Sequence, residues 1–450
     1  MNQHYRVLQL VLLFVGLLIL VSLSGHIFAF SWKPLQRVDL VADLLKQPPP
    51  TPAVLPAARP PVKTVVLKNG RQADFSLFQQ AHLITDFNTD TNQTALSGLI
   101  SKLHTLKSGK KQKIRIAYLG DSMIEGDLIS QTFRKLLQRE FGGEGVGFVP
   151  IAYPSSKNRT TVRHSNSDNW KEANFKTAGS NHTVYLSGHT FWGNHSWINL
   201  TDQTIGDSTT AIEKSLLCGQ WESPVNIVFA DSVKSIRPGN PVNRIVLGNN
   251  TSHAIRLSTG DEPMPIYGVS FESASGVIVD NFSFRGVSGV EFAAIDSGFL
   301  HAIAVNNPYD LIILQYGINQ LFNPNLKDYK WYHKIMTPSI KNLKRAFPLA
   351  DFLLVSTADR AFRYGDEYKT AIGIDSLIKV QATLAYENNM GFYNLYQSMG
   401  GNGTIVAWAN GDPSLANKDY VHPNHRGAEI LGEDLFNALI HDYKKYKPGY

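Results

Sequence analysis

The sequence predicts an α/β protein with a parallel sheet, interrupted by an all-β, sandwich-like insert and preceded by an N-terminal transmembrane helix. Short apolar runs alternate with segments of helical periodicity over residues 95–141 and again over 276–442, which is typical of strands and helices in a parallel sheet. Between them, residues 154–275 are rich in Thr, Ser, Asn, Gly and aromatic residues. Residues 8–30 form an apolar run without Asp, Glu, Lys or Arg, and about 20 such residues can span a membrane.

Composition and charge narrow the classes of function. The chain has 450 residues, enough for two or three domains of about 100–200 residues each. Hydrophobic residues make up 43% and charged residues 18% of the chain, which excludes a largely disordered protein. The net charge of +6 is not concentrated in a dense Lys/Arg run, so we expect no nucleic-acid partner. A single cysteine, Cys218, excludes an intrachain disulfide.

The apolar run at residues 8–30 predicts a signal anchor, so that residues 1–31 form a cytoplasmic stub and a membrane helix. The run is longer than the core of a cleaved signal peptide, which has about 7–15 residues, and no clear cleavage site follows it. Residues 32–64 are predicted to be a linker, which is proline-rich and therefore extended at 47–62. A long cleaved signal is the alternative. Both interpretations place the body of the protein outside the cytoplasm, in the periplasm, tethered to the inner membrane or secreted.

The first α/β part is predicted at residues 65–153. Residues 95–106 carry apolar residues at helical spacing, and residues 114–119 form a short apolar run typical of a buried strand. The tripeptide Gly-Asp-Ser at 120–122 interrupts this pattern, and helical spacing resumes over 128–141. The order strand, sharp turn, helix places a serine at the end of a strand.

The predicted β insert covers residues 154–275. Its short alternating runs are bounded by Gly, Asn and Asp, which indicates a sandwich of short strands. The clearest of these runs lie at residues 183–186, 225–229, 244–247 and 254–257.

The second α/β part is predicted at residues 276–450. Apolar runs again alternate with segments of helical periodicity. The pattern predicts strands at 311–314 and 352–355 and helices at 339–347, 374–388 and 427–442.

Ser122 is the first candidate for a catalytic residue. It follows the predicted strand at 114–119, and open α/β sheets bind ligands at the carboxyl ends of their strands. A hydroxyl at a helix N-terminus lies near backbone N–H groups that can hold a developing oxyanion. The same pattern also fits an ordinary helix cap.

Two further segments carry polar residues whose spacing suits a catalytic site. Asp419 and His422 are three residues apart, so the carboxylate can hold the imidazole in the tautomer that accepts a proton from serine. Gly317 and Asn319 follow the predicted strand at 311–314, where a side-chain amide can donate to an oxyanion. Each segment alone also fits a capping Asp with a surface His, or a turn Asn. The interpretation therefore depends on the three segments together.

Taken in order, these segments resemble the conserved blocks of the SGNH hydrolase superfamily. The corresponding residues are Gly120-Asp121-Ser122, Gly317-Ile318-Asn319 and Asp419-Tyr420-Val421-His422. The glycine block is the weakest, and of its two glycines we prefer Gly289 to Gly286 as an oxyanion donor. Residues 142–148, 398–401 and 418–423 are further similar to peptidoglycan O-acetylesterases, periplasmic members of the superfamily that carry a β domain like a carbohydrate-binding module inside the catalytic fold.

This resemblance implies a fold, a mechanism and a site. The expected fold is the flavodoxin-like three-layer α/β/α arrangement of SGNH enzymes. Ser122 would be the nucleophile, His422 the general base and Asp419 its partner, with the oxyanion bound by the N–H groups of Ser122 and Gly289 and by the amide of Asn319. The expected supporting residues of the site are Gly120, Asp121 and Gly317. The resemblance requires no cofactor.

The sequence predicts no metal site either. His182, His189 and His195 lie close together in the chain but lack the spacing of metal ligands. We therefore expect neither a metal nor an organic cofactor.

The expected function is that of a serine esterase that removes O-acetyl groups from an extracytoplasmic glycan, with peptidoglycan as the first candidate. An O-acetyltransferase acting on the same class of polysaccharide is the first alternative, because both reactions use the same residues. A membrane protein that transfers acetyl groups is a candidate partner. A glycan-binding scaffold without catalysis is the alternative of another class. The sequence carries no signal for an oligomeric state.

Overall fold

The computed structural model describes residues 9, 12–17, 65–66, 72–87, 94–153, 156, 159–178, 183–206 and 209–446. Residues 1–61 and residues 62–450 form two separate units. In the first unit, residues 12–17 are helical. None of the helices in the described part of the chain is both long and apolar enough to cross a membrane. Most of the predicted anchor and the whole proline-rich linker lie outside the described residues.

The second unit contains all the described strands. In chain order they are β1 (Val65–Val66), β2 (Gln72–Ala73), β3 (Ile84–Thr85), β4 (Lys113–Gly120), β5 (Gly147–Val149), β6 (Val162–Asn166), β7 (Lys171–Asn174), β8 (His189–Trp192), β9 (Trp197–Asp202), β10 (Ile212–Cys218), β11 (Val225–Phe229), β12 (Ser232–Ile236), β13 (Asn243–Asn250), β14 (Ala254–Thr259), β15 (Ile266–Ser273), β16 (Gly276–Ser283), β17 (Leu311–Gln315), β18 (Asp351–Val355), β19 (Ala361–Tyr364), β20 (Glu367–Thr370) and β21 (Gly391–Tyr393).

The α-helices of this unit follow the same order along the chain. They are α1 (Ser97–Lys107), α2 (Ser130–Phe141), α3 (Ser297–Asn306), α4 (Lys330–Ala346), α5 (Ile374–Glu387), α6 (Leu395–Ser398), α7 (Thr404–Asn410) and α8 (His425–Lys445). Helices α1, α2 and α8 contact one another, and α4 contacts both α3 and α5.

A six-stranded sheet forms the centre of the α/β part. Its strand order is β16-β4-β17-β18-β21-β3, and all neighbours are parallel except the edge pair β21 and β3. Seven of the eight residues of β4 are buried, because this apolar strand lies between two others and is covered on both faces. Its carboxyl end therefore opens near the middle of the sheet.

Two antiparallel sheets form the all-β part. One has the order β13-β10-β15-β8-β7, with β5 added on β15, and the other has the order β12-β11-β14-β9-β6. Apolar residues from both sheets form a second hydrophobic core, separate from the core around the parallel sheet. The protein is thus a mixed α/β fold in which a parallel sheet is interrupted by antiparallel sheets, as the sequence predicts.

Three details differ from the sequence predictions. Residues 183–186 form an irregular segment and turn, and the neighbouring strand is β8. Helix α4 begins at Lys330, well before the predicted start at residue 339. The pairing of β5 with β15 brings residues before the predicted boundary at 154 into the sandwich, since the Gly-rich segment ahead of β5 already turns the chain away from the parallel sheet.

Candidate active site

Ser122 lies just beyond the end of β4. Gly120, the last residue of that strand, is closely packed, because a Cβ there would lie 2.8 Å from the side chain of Ile124 and 3.1 Å from the carbonyl oxygen of Gln315. The turn is held by the carboxylate of Asp121, which accepts a hydrogen bond from the backbone N–H of Met123 at 3.0 Å. Close packing and this hydrogen bond fix the position of the serine at the edge of the sheet.

The structure brings the three predicted triad residues together. The Oγ atom of Ser122 lies 2.8 Å from Nε2 of His422, and Nδ1 of His422 lies 2.7 Å from Oδ2 of Asp419. The loop that carries the last two residues leads directly into α8, whose first turn is capped by the side chain of Asn424. Two segments separated by 300 residues therefore form one chain of hydrogen bonds.

Electrostatics favour an ionised carboxylate at Asp419. Partial burial raises its pKa, but hydrogen bonds from the ring of His422 and from the backbone N–H groups of Val421 and His422 outweigh this and lower the pKa below its usual value. A charged Asp419 accepts the Nδ1 proton of the imidazole, which leaves Nε2 free to accept a proton from Ser122.

Asn319 reaches the same turn from the end of β17. Its Nδ2 atom donates to the carbonyl oxygen of Val287 at 2.7 Å and to Oδ2 of Asp121 at 3.2 Å. Gly317 has a φ of 125° and leads the chain into the short helical turn that carries this amide. The amide is therefore hydrogen-bonded to Asp121, the residue before Ser122 in the chain, and both of its hydrogens have acceptors.

Asp121 is buried beneath this site. Burial is the largest influence and raises the pKa of its carboxyl to about 7, against the hydrogen bond from Met123, which lowers it. Its place under the turn, in contact with Asn319, fits the supporting position predicted for it.

The two candidate glycines have different environments. Gly286 is exposed and lines a cavity together with Ser122. Gly289 is buried, and a Cβ there would lie 2.7 Å from the ring of Tyr316 and 3.0 Å from Met336. Gly286, and not the preferred Gly289, is among the residues that line the cavity with Ser122. Both glycines have positive φ angles. The backbone therefore favours glycine at each position, and the sequence alone does not show which of the two lies at the cavity.

The cavity has a volume of about 570 Å³. Most of the side chains around it are polar. Its lining residues are Ser122, Glu125, Gly126, Leu128, Lys176, Arg285, Gly286, Asn417, Asp419, His422, Pro423 and His425. His425 also lines a second, larger cavity of about 880 Å³ between α2, α8 and the β sandwich.

Three charged residues of this cavity are not among those predicted from the sequence. Glu125 and Arg285 form an ion pair at its edge, and Lys176 comes from the β sandwich. Glu125 and Arg285 lie in the segments that resemble the serine and glycine blocks, but the resemblance assigns them no role, and the sequence offers no signal that brings position 176 close to position 122.

Comparison with solved structures identifies a protein of similar fold. No family model matches the chain, and no curated protein matches it. A solved structure of a peptidoglycan O-acetylesterase matches with a TM-score of 0.67 and 20% sequence identity, over 79% of this chain and 99% of that chain.

Two other solved structures match more distantly. A family two carbohydrate esterase from Cellvibrio japonicus has 10% identity over 63% of this chain and 99% of that chain, with a TM-score of 0.26. A salicylyl-acyltransferase from a tetracycline biosynthetic pathway has 14% identity over 65% of this chain and 96% of that chain, with a TM-score of 0.29. The two distant matches carry no weight, whereas the first match shows that this chain has the same fold as that peptidoglycan O-acetylesterase.

Proposed function

We propose that this protein is a carbohydrate O-acetylesterase that removes acetyl groups from an extracytoplasmic glycan, with peptidoglycan as the proposed polymer. The observation that carries the proposal is the chain of hydrogen bonds from Ser122 through His422 to Asp419, with distances of 2.8 and 2.7 Å. This is the arrangement that activates a serine hydroxyl for attack on an ester. It lies at a cavity open to solvent, where a substrate can reach it.

The first half of the reaction transfers the acetyl group to the enzyme. The Oγ atom of Ser122 attacks the acetyl carbonyl carbon while its proton passes to Nε2 of His422. Asp419 stabilises the imidazolium that forms. The tetrahedral intermediate then collapses, the bond to the sugar oxygen breaks, and His422 returns the proton to the departing sugar hydroxyl.

The second half releases acetate. A water molecule gives a proton to His422 and attacks the acetyl group on Ser122, and the serine leaves with the proton from the imidazolium. About a third of the His422 side chain and 45% of the Asp419 side chain are exposed to solvent. Water therefore has access to the site, as this second half of the reaction requires.

The negative oxygen of the tetrahedral intermediate needs hydrogen-bond donors. The backbone N–H groups of Ser122 and Gly286 donate no hydrogen bond to any other described residue, so both can serve a substrate oxygen. Asn319 is the third proposed donor, and its amide would turn one hydrogen from Asp121 towards the oxyanion. Loss of one such donor typically costs about 3–4 kcal/mol of transition-state stabilisation.

The shape of the surface supports a polymeric substrate. The cavity at Ser122 and the larger cavity beyond it share His425 as a lining residue, so the two cavities are neighbours and a long glycan bound at Ser122 could extend past His425. A solved structure with the same fold is that of a peptidoglycan O-acetylesterase. Together these observations support a glycan substrate, and peptidoglycan is the polymer that we propose.

Location outside the cytoplasm is part of the proposal. It depends on the apolar run at residues 8–30, which would anchor the protein in the inner membrane and leave the rest of the chain in the periplasm. Peptidoglycan lies in the same compartment.

Turnover of p-nitrophenyl acetate by the full-length protein in detergent tests the proposed reaction. We expect release of p-nitrophenol that is lost in Ser122→Ala and retained in Ser297→Ala, since Ser297 is an exposed serine at the start of α3. A chito-oligosaccharide acceptor should leave the rate unchanged. Acetylated sugar as the main product would indicate the transferase, and release that persists in Ser122→Ala would reject the mechanism.

A further inference from the structure

The β sandwich contributes a charged residue to the cavity at Ser122. Lys176 lies in the turn that follows β7. Its backbone N–H donates to Oδ1 of Asn174 at 3.0 Å, and the N–H groups of Thr177 and Ala178 donate to the Asn174 carbonyl oxygen at 2.9 and 2.7 Å. These three hydrogen bonds give the turn a defined shape.

Aromatic contacts hold this turn against the glycine segment of the site. The ring of Phe175 packs edge-on against Phe284 and Phe292, with centroid distances of 5.6 and 5.4 Å. The ammonium group of Lys176 lies 5.7 Å from the centroid of Phe284. It also lies 2.9 Å from the position that a Cβ of Gly286 would occupy. The Lys176 charge is therefore next to one of the two proposed backbone oxyanion donors.

The charge of Lys176 is not balanced within the cavity. The other cation, Arg285, is paired with Glu125, and Asp419 is bonded to His422. No carboxylate of the described residues lies within ion-pair distance of Lys176. The two acidic residues of the cavity thus have partners, and one ammonium group remains for a ligand.

We propose that Lys176 binds a carboxylate of the substrate, so that the acetyl ester removed at Ser122 lies close to a carboxylate on the same glycan. This inference rests on the proposed function and specifies its substrate class. A lysine ammonium forms charge-assisted hydrogen bonds with a carboxylate, and these are stronger than bonds to neutral oxygens. The carboxylate belongs either to a uronic acid of the sugar chain or to an acidic or peptide substituent on it.

Calorimetric binding to the full-length Ser122→Ala protein tests the inference without turnover. The ligands are tri-galacturonate, a muropeptide, and chitotriose as a neutral oligosaccharide. We expect at least one carboxylated ligand to bind more tightly than chitotriose. Adding Lys176→Met should weaken that binding by about tenfold to a hundredfold, the effect of losing one charge-assisted hydrogen bond.

The matched control is Lys171→Met, because Lys171 is an exposed lysine on the adjacent strand β7 and does not line the cavity. It should leave binding unchanged, and Lys176→Arg should retain most of the affinity. Preference for tri-galacturonate would assign the carboxylate to the sugar, and preference for the muropeptide would assign it to the substituent.

Three results would overturn the inference. The first is equal binding of neutral and carboxylated ligands, and the second is no binding of either. The third is an equal loss of affinity for both kinds of ligand in Lys176→Met. Ser122-dependent turnover of p-nitrophenyl acetate would stand in each case, so failure of this inference is distinguishable from failure of the proposed function.

Discussion

The carboxylate of Asp419 accepts three hydrogen bonds within its own loop. One comes from Nδ1 of His422 at 2.7 Å, and the others from the backbone N–H groups of Val421 and His422 at 3.0 and 3.1 Å. The backbone bonds fix the carboxylate, so that it in turn fixes the orientation of the imidazole ring. Asp419 therefore selects the tautomer of His422 that can accept a proton from Ser122.

Replacement of Asp419 by asparagine tests this role. The amide keeps the shape of the loop but favours the wrong imidazole tautomer, so we expect kcat for p-nitrophenyl acetate to fall by about 10⁴-fold. Asp366→Asn is the control, because the Asp366 side chain is fully exposed in the turn between β19 and β20. A loss of less than tenfold in Asp419→Asn would show that His422 does not depend on this carboxylate.

The buried carboxyl of Asp121 makes stability depend on pH. Burial raises its pKa to about 7 in the folded protein, from an ordinary value of 3.8. The folded state therefore holds this proton at pH values where the unfolded state has released it. The protonated carboxyl of Asp121 therefore makes its full contribution to the free energy of unfolding below about pH 4, and this contribution is lost as the pH rises through about 7.

Asp121→Asn removes this ionisation, so we expect the free energy of unfolding of the variant, relative to the wild type, to rise with pH. The difference should grow by about 4 kcal/mol between pH 4 and pH 8, since each pKa unit corresponds to about 1.4 kcal/mol. Urea unfolding at several pH values measures it. A difference that is constant over this range would contradict a raised pKa for Asp121.

Residues with local spacing could be predicted from the sequence, and residues brought in by tertiary contacts could not. Asp419 and His422 are three residues apart, so one turn is enough to bring them together. The choice of Gly289 over Gly286 required knowledge of which glycine faces the cavity. Lys176 depends on how the sandwich docks through Phe175, which no periodicity in the sequence reveals.

At the scale of elements, the packing of α8 against α2 supports the site. Both helices begin close to the triad, α2 shortly after Ser122 and α8 directly after the loop of His422. Gly432 of α8 lies at their contact, where a Cβ would be 2.5 Å from the carbonyl oxygen of Ile129 and 2.8 Å from Thr132. The absence of a side chain lets the two helices approach closely.

Gly432→Leu should separate these helices and displace His422 from Ser122. We expect a fall in kcat for p-nitrophenyl acetate of at least tenfold, together with a loss of stability of about 1–3 kcal/mol from overpacking. Gly239→Leu is the matched control, since a Cβ at Gly239 meets no atom within 4 Å. Wild-type activity and stability in Gly432→Leu would show that the close approach of α8 and α2 is not needed.

Strands and helices with strong periodicity were predicted well, whereas the start of α4 was not. The sequence prediction began that helix at residue 339, directly after Pro338, and proline is disruptive in a helix interior. In the structure Pro338 lies inside α4, in a helix whose buried face packs against neighbouring helices. Tertiary packing outweighs the local cost of one missing hydrogen bond.

At the scale of the whole molecule, a buried charge cluster joins the parallel sheet to the sandwich. Glu272 of β15 is fully buried and pairs with Arg115 and Lys113 of β4 and with Arg244 of β13. Burial alone would raise the pKa of Glu272, but the charges of Arg115 and Arg244 hold it well below its usual value. Its negative charge therefore persists at neutral pH and balances the buried cations between the two parts.

Glu272→Gln would leave those cations without a counter-charge. We expect a loss of about 3–5 kcal/mol in the free energy of unfolding, as when one partner of a buried ion pair is removed. Glu367→Gln is the control, because its pair with Lys369 is exposed and exposed ion pairs contribute little to stability. Equal unfolding midpoints for Glu272→Gln and wild type in guanidinium chloride would contradict a structural role for the cluster.

The two-part architecture could be predicted from the sequence, but its internal interface could not. The change from helical to alternating periodicity reveals an inserted β region, because each period is a local property. Arg115 and Glu272 are 157 residues apart, and neither lies in a motif. Their pairing follows from the way the sandwich sits on β4, which only the folded structure shows.

Detection of an acetyl-enzyme tests the central claim most directly. The full-length protein is mixed with p-nitrophenyl acetate, quenched with acid within the first turnover, digested and analysed by mass spectrometry. We predict one added acetyl group on the peptide that contains Ser122, and none on that peptide in Ser122→Ala. Acetylation of another residue, or turnover without any acetyl group on Ser122 in the wild type, would contradict the account.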